Sequence, residues 1–129
     1  MTDLCKAAAG LLRERFPEAM IAGKEVAGGM KLPAFILTSK ELSLKKEMGR
    51  RWRLEETAEC GCYAEKEFTA LKQAELLSLL RRAARGVTAE AEREANRLLI
   101  RMNLTQILFL EEEEAALMKQ MILNMREET

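Results

Sequence analysis

Apolar side chains recur at helical spacing in two long segments of the chain. The first segment spans residues 3 to 16, where Thr2 or Asp3 can cap its start and Pro17 ends it. The second spans residues 64 to 85, where a broad apolar face precedes a basic C-terminal end, the arrangement that the helix dipole favours. The pattern therefore predicts an N-terminal helix and a long central helix.

Other segments alternate apolar and polar residues, as strands with one buried face do. Residues 19 to 22 and 34 to 38 are predicted to be short strands, and residues 52 to 62 a longer one. Glu56 breaks the alternation of the longer strand, which indicates a bulge or a position near the sheet edge. Alternation from 98 to 110 predicts a further strand.

A turn through residues 45 to 49 joins two of these strands into a hairpin with one buried face. We expect Gly49 to adopt a backbone conformation that other residues reach only with strain. Arg50 and Trp52 then take their places on the returning strand.

The C-terminal segment, residues 112 to 126, fits two structures. As a helix it has one apolar stripe, and as a strand it has one apolar face. Helix propensity alone favours the helix. The stripe consists of Leu117, Met118, Met121, Ile122 and Met125, and the strand face of Leu117, Met121, Leu123 and Met125.

These elements predict a single α+β domain over residues 1 to 129, with a mostly antiparallel sheet of about four to five strands packed against two helices. A length of 129 residues is typical of one domain, and 48% hydrophobic with 33% charged residues is typical of a folded chain. No apolar run is long enough to cross a bilayer, and the first residues lack the order of a secretory signal. We therefore expect a cytoplasmic protein.

The composition disfavours several kinds of chemistry. The chain has no histidine, the commonest general base and metal ligand. Its 21 basic and 21 acidic residues cancel, so no overall field attracts nucleic acid or an anionic membrane. Cys60 and Cys62 share one face of a strand, but zinc needs four ligands and no second pair is present. We predict no catalytic, cofactor-binding or metal-binding residues, and free thiols at all three cysteines.

The most informative segment is a basic hairpin tip beside the only tryptophan. Interleaved arginines and an aromatic side chain can bind phosphates and stack on bases. The alternative is that the tryptophan lies in the core and the arginines are solvated. The segment contains Lys45, Lys46, Arg50, Arg51, Trp52 and Arg53.

An acidic run, Glu111, Glu112, Glu113 and Glu114, follows the last clearly alternating segment. Consecutive carboxylates do not converge on one point in a helix or in a strand, which disfavours a cation site. We expect the run to form a solvated turn or an electrostatic contact surface.

Two segments carry a resemblance to a known family. Residues 25 to 35 contain a Glu-Val pair, a glycine turn and a Pro-x-aromatic strand, and residues 46 to 53 read Lys-Glu-x-Gly-x-Arg-aromatic. Both resemble the tail terminator proteins of phages and prophages of Gram-positive bacteria. The likeness extends over roughly residues 10 to 85 and includes the second helix.

The resemblance implies an assembly function and no enzymatic activity. Such proteins form a hexameric ring on the finished end of the tail tube, stop its polymerisation and provide the surface to which the DNA-filled head attaches. The implied partners are the tail tube protein and a neck or head-completion protein, with DNA as cargo through the ring. The implied location is the host cytoplasm and then the virion tail. Family members end in two strands, which here would be 104 to 110 and 116 to 126.

The charge distribution suggests how such a ring closes. Residues 40 to 53 contain six basic and two acidic side chains, and residues 111 to 128 contain six acidic and two basic ones. A head-to-tail ring uses two different surfaces of each protomer, so we predict that the basic hairpin of one copy meets the acidic run of the next. In the alternatives, both segments are solvated within one protomer, or the basic loop faces the tail tube or the DNA channel.

Two other classes of function remain. A small nucleic-acid-binding or regulatory module would act through the basic hairpin, residues 45 to 53, and would show salt-dependent binding to plain duplex DNA. An enzyme without histidine would need a carboxylate or cysteine site, and no pair of these residues stands out at a turn where a cleft would form.

Overall fold

A computed structural model describes residues 1–23, 31–64, 70–94 and 97–127. Within these ranges the chain forms three helices and five strands. In chain order they are α1 (Asp3–Arg15), β1 (Met20–Ala22), β2 (Ala34–Met48), β3 (Arg51–Tyr63), α2 (Ala70–Leu80), β4 (Val87–Glu94), β5 (Arg97–Phe109) and α3 (Glu112–Glu127). The Glu-Val and glycine part of the family resemblance, residues 25 to 30, lies outside the described residues.

The five strands form one mixed sheet in the order β1-β2-β3-β5-β4. The short β1 runs parallel to β2, and every other neighbouring pair is antiparallel. The predicted α+β class, with a mostly antiparallel sheet of four to five strands, is therefore confirmed in outline. The number of helices differs, because two were predicted and the described residues contain three.

The main core lies between one face of the sheet and the helices α1 and α2. Thr2 caps α1 by accepting a hydrogen bond from the Cys5 N–H at 3.3 Å, and the helix ends just before Phe16 and Pro17, as predicted. Apolar side chains from both helices and from β2, β3, β4 and β5 meet in one cluster. Its largest fully buried members are Leu12, Leu37, Leu76, Leu80, Leu98, Ile100 and Met102.

Glu56 lies on the core-facing side of β3 and is 5% exposed. Its carboxylate accepts a hydrogen bond from the Thr2 hydroxyl at 2.6 Å. The residue that caps α1 therefore also gives the buried carboxylate a hydrogen-bond partner. Both alternatives predicted for Glu56, a bulge and a position near the sheet edge, are wrong, since β3 is the central strand and pairs with β5 in regular register throughout. The register shifts of the hairpin lie between Ser39 and Glu41 and between Lys46 and Met48 of β2.

The β2–β3 hairpin is longer and its turn tighter than predicted. β2 continues through residues 45 to 48, and only Gly49 and Arg50 form the turn. Gly49 has a φ of 58°, which confirms its predicted conformation and matches the first position of a type II′ hairpin turn.

The central helix is shorter than predicted. α2 ends at Leu80, and residues 81 to 86 form turns that lead into β4, an edge strand absent from the prediction. Leu76 and Leu80 are buried, but Leu71 is 82% exposed, so the buried face is narrower than the broad apolar face predicted. The part of the predicted helix at residues 65 to 69 lies outside the described residues.

The C-terminal segment is a helix. Residues 104 to 109 belong to β5 as predicted, but residues 116 to 126 lie in α3, so the second strand implied by the family resemblance is wrong. The helix that propensity favoured is therefore present, but its predicted stripe is only partly buried: Ala115 and Ile122 are buried, whereas Leu117 and Met121 are exposed. None of the helices in the described ranges is both long and apolar enough to cross a membrane.

Two glycines allow a matched test of the fold. Gly86→Ala is expected to lower the free energy of unfolding by roughly 2 kcal/mol or more. The alanine would have to adopt a φ of 87°, and its Cβ would lie 2.6 Å from the backbone oxygen of Thr105. Gly10→Ala in α1 should raise that free energy by about 0.5–1 kcal/mol, because nothing lies within 4 Å of the added Cβ. Urea unfolding curves measure both, and shifts of the same sign would contradict this turn geometry.

Candidate functional site

Three strands extend beyond the rest of the sheet and form a projecting end. β1 covers only the start of β2, up to Ile36, and the pairing of β4 with β5 ends at Leu104. Beyond these points β2, β3 and β5 pair only with each other. We call residues 45–53 together with 105–109 the tip. It contains all the basic residues singled out in the sequence.

Trp52 lies on the covered side of the tip and is 6% exposed. It points to the same face as the main core, and α3 covers it. Lys119 of α3 places its Nζ 4.7 Å from the centroid of the Trp52 ring, and Lys46 lies at 6.0 Å. These distances fit cation–π contacts. A nucleic-acid base could stack on this ring only if α3 moved away.

The acidic run forms the N-terminal end of α3. The backbone N–H of Glu111 donates to the side chain of Glu114 at 3.1 Å, and the N–H of Ala115 donates to the Glu111 carbonyl at 3.0 Å. The first contact is half of a capping box, and acidic side chains in the first turn are stabilised by the helix dipole. The run could have been interpreted as a helix start, since an acidic first turn before an apolar stripe is that signal.

The basic and acidic segments meet within one chain. The Arg50 guanidinium forms an ion pair with the Glu111 carboxylate, and the Leu110 N–H donates to the Arg50 carbonyl at 2.8 Å. Both charged side chains are more than 60% exposed, so the ion pair contributes only about 0–1 kcal/mol. Part of the charge that was expected to join two copies is therefore matched inside the protomer.

Three of the other four cations of the tip, Lys45, Arg51 and Arg53, also have acidic neighbours. Glu47 accepts contacts from Arg51 at 3.2 Å and from Arg53 at 2.9 Å, and Lys45 lies 3.9 Å from Glu55. The count of six basic and two acidic residues from 40 to 53 does not include Glu55 and Glu111, which lie beside that segment in the folded chain. The tip is thus less basic than its sequence indicates.

The open side of the tip exposes apolar side chains that the sequence analysis did not single out. Met48 is 81% exposed, Phe109 71% and Ile107 38%. The strand register places Met48 and Phe109 on the two sides of Arg51, and Ile107 beside Arg53. This face lies opposite Trp52, and no helix of the described residues covers it.

The sides of α3 that face away from the sheet also expose apolar side chains. Leu117 is 67% exposed, Met121 57% and Leu123 48%. Leu117 and Met121 are one turn apart and share one side of the helix, whereas Leu123 lies on another side.

The three cysteines are buried thiols. The Sγ atoms of Cys60 and Cys62 lie 3.8 Å apart on one face of β3, and Cys5 of α1 is buried in the same core. The contact with Cys62 and burial raise the pKa of Cys60 well above its ordinary value, and burial raises that of Cys5. Among the described residues no three cysteine or acidic side chains are grouped so as to hold a metal ion.

Comparisons with known proteins do not assign the chain to a family. No protein-family model matches it, and no curated protein matches it either.

Removal of the Trp52 ring tests the packing of α3 on the tip. Trp52→Ala is expected to lower the free energy of unfolding by about 3–5 kcal/mol, because it leaves a large cavity beneath α3. Trp52→Phe, which keeps an aromatic face for Lys119, should cost clearly less. Urea unfolding gives both values, and amide exchange of α3 should accelerate first in the alanine variant. A loss below about 1 kcal/mol would show that α3 does not cover this ring.

The buried thiols predict a stability that depends on alkaline pH. Because folding raises the pKa of Cys60 and Cys5, their contribution to the free energy of unfolding is fully present below the unfolded thiol pKa of about 8.5. It is lost as the pH rises toward the folded values. Thermal midpoints between pH 7 and pH 10 should therefore fall less in a Cys5→Ala, Cys60→Ala and Cys62→Ala variant than in the wild type. Equal slopes, or zinc bound stoichiometrically to the wild type, would contradict this role.

Proposed function

We propose that this chain is a structural assembly protein of the tail terminator type. In this proposal, six copies form a ring on the end of a phage tail tube, stop its growth and present a surface to a neck or head-completion protein. DNA passes through the ring as cargo, and the protein acts in the host cytoplasm before it becomes part of the virion tail.

The observation that carries the proposal is the position of the residues that resemble the family. The Lys46 to Arg53 segment forms the end of a projecting three-stranded tip, and exposed Met48 and Phe109 flank it on the open face. Exposed apolar groups with a polar rim mark protein interaction sites. A segment that projects and exposes apolar groups is suited to contact a neighbouring subunit.

The order of the elements gives additional support. A helix, a short strand, a long hairpin and a second helix follow one another up to Leu80, in the order of the family pattern. Beyond α2 the chain departs from that pattern, because the family ends in two strands and this chain ends in α3.

The nucleic-acid-binding alternative has less support from the same residues. Trp52 is covered by α3, and Arg50, Arg51 and Arg53 lie beside carboxylates of their own chain. Phosphate-driven binding would need these arginines to exchange partners.

A mass measurement and a capping assay test the proposed function. Native mass spectrometry should give six times the 14.6 kDa mass of the chain, and added protein should shorten tubes grown from the tube protein of the same genome. Met48→Ser with Phe109→Ser should lose the capping, whereas Leu71→Ser, an equally exposed change on α2, should retain it. A chain that stays monomeric, leaves tube length unchanged and binds plain duplex DNA in a salt-dependent manner would favour the alternative instead.

A further inference from the structure

Two exposed apolar patches lie on opposite sides of this small domain. The tip patch consists of Met48, Ile107 and Phe109 on the open face of the sheet. The helix patch consists of Leu117 and Met121, one turn apart on an exposed side of α3 next to its buried stripe, and α3 packs on the other face of the sheet. Scattered apolar residues are normal on a surface, but the members of each group lie close together: Met48 and Phe109 lie on the two sides of Arg51, and Leu117 and Met121 are one helical turn apart.

Charges of opposite sign surround the two patches. Three basic side chains, Lys45, Arg51 and Arg53, and two acidic ones, Glu47 and Glu55, border the tip patch, so one positive charge remains in excess. Glu112 and Glu113 precede the helix patch, and Glu113 is one turn before Leu117 on the same side of α3. Within the described ranges, Glu111 is the only member of the acidic run that forms an ion pair. Both surfaces thus have an apolar centre, and the net charges beside them are opposite in sign.

One copy cannot bring its own two patches together. Trp52 and the strands of the tip separate them, because the tip patch faces away from α3 while α3 packs over the ring of Trp52. A second copy can supply the missing surface. An isologous pair would place like charges against each other, whereas a head-to-tail contact joins opposite ones.

We propose that the tip patch of one copy docks on the helix patch of the next copy. Met48 and Phe109 pack against Leu117 and Met121, and Arg51 faces the carboxylates at the start of α3. Because the contact is heterologous, each copy uses both surfaces, and the ring of the proposed function forms when the rotation between neighbouring copies closes the chain of contacts. This inference rests on the proposed ring function and names the interface that forms it.

The docking changes the predicted role of the charged segments. Arg50 and Glu111, which were expected to join two copies, instead fix α3 to the tip of the same copy. The apolar centres provide the affinity, and the surrounding charges orient the two copies. The exposed Arg51–Glu47 pair is weak enough to rearrange on docking, because surface ion pairs contribute little.

Complementary mixing tests the inference. The tip variant carries Met48→Ser and Phe109→Ser, and the helix variant carries Leu117→Ser and Met121→Ser. Each alone is expected to be monomeric, with the dissociation constant of the contact raised at least about tenfold. An equimolar mixture should form heterodimers and nothing larger, because only one intact pair of surfaces remains. Analytical ultracentrifugation distinguishes these states.

Controls separate the interface from folding and from the proposed function. Leu71→Ser should assemble as the wild type does, and circular dichroism should show unchanged helix content in all variants. If a serine variant unfolds, Arg51→Glu and Glu113→Arg replace it, since each should weaken assembly alone and restore it when the two are combined in one chain.

Several outcomes would overturn the proposed interface. Assembly that survives in either variant, a mixture that stays monomeric, charge reversals that do not compensate, or loss of assembly in Leu71→Ser would each show that the copies meet elsewhere. In these cases a wild type that forms rings and caps tubes leaves the proposed function intact. A wild type that does neither refutes the proposed function together with the interface.

Discussion

The length of the central strand is the constraint on which the rest of the structure depends. β3 has 13 residues, and at about 3.3 Å per residue it extends roughly 43 Å. α1 also has 13 residues, but at about 1.5 Å per residue it reaches only about 20 Å. α1 and α2 therefore cover one end of the core-facing side, and Trp52 at the other end needs a cover of its own. α3 provides that cover.

This constraint also separates the two surfaces that we assign to assembly. α3 must pack one side on the tip, and its other side then remains exposed with Leu117 and Met121. The opposite face of the sheet has no helix over it in the described residues, and cross-strand pairs such as Lys40–Glu59 and Arg101–Glu59 keep much of it polar. Apolar side chains interrupt that polar face at the tip, where a neighbouring copy would bind.

The contact between Thr2 and Glu56 lies between the main core and the tip. Glu56 is the one acidic residue of β3 on the core-facing side, and a buried carboxylate is costly unless it is hydrogen-bonded. The hydroxyl that caps α1 supplies this bond at 2.6 Å. The start of α1 is thereby fixed to the middle of β3, between the region covered by α1 and α2 and the region covered by α3.

The sequence by itself determined the elements whose signals are local: α1 with its cap and proline stop, the alternating strands β3 and β5, and the conformation of Gly49. Tertiary structure decided the rest. β4 escaped prediction because its core-facing side carries small alanines, and α3 was misassigned because its apolar spacing fits two periods. The sequence identified the basic residues of the tip, but the ion pair between Arg50 and Glu111 joins residues 61 positions apart, which no local pattern indicates. Exposure of Met48, Phe109 and Leu117 depends on which surfaces remain after packing, and no local pattern encodes that.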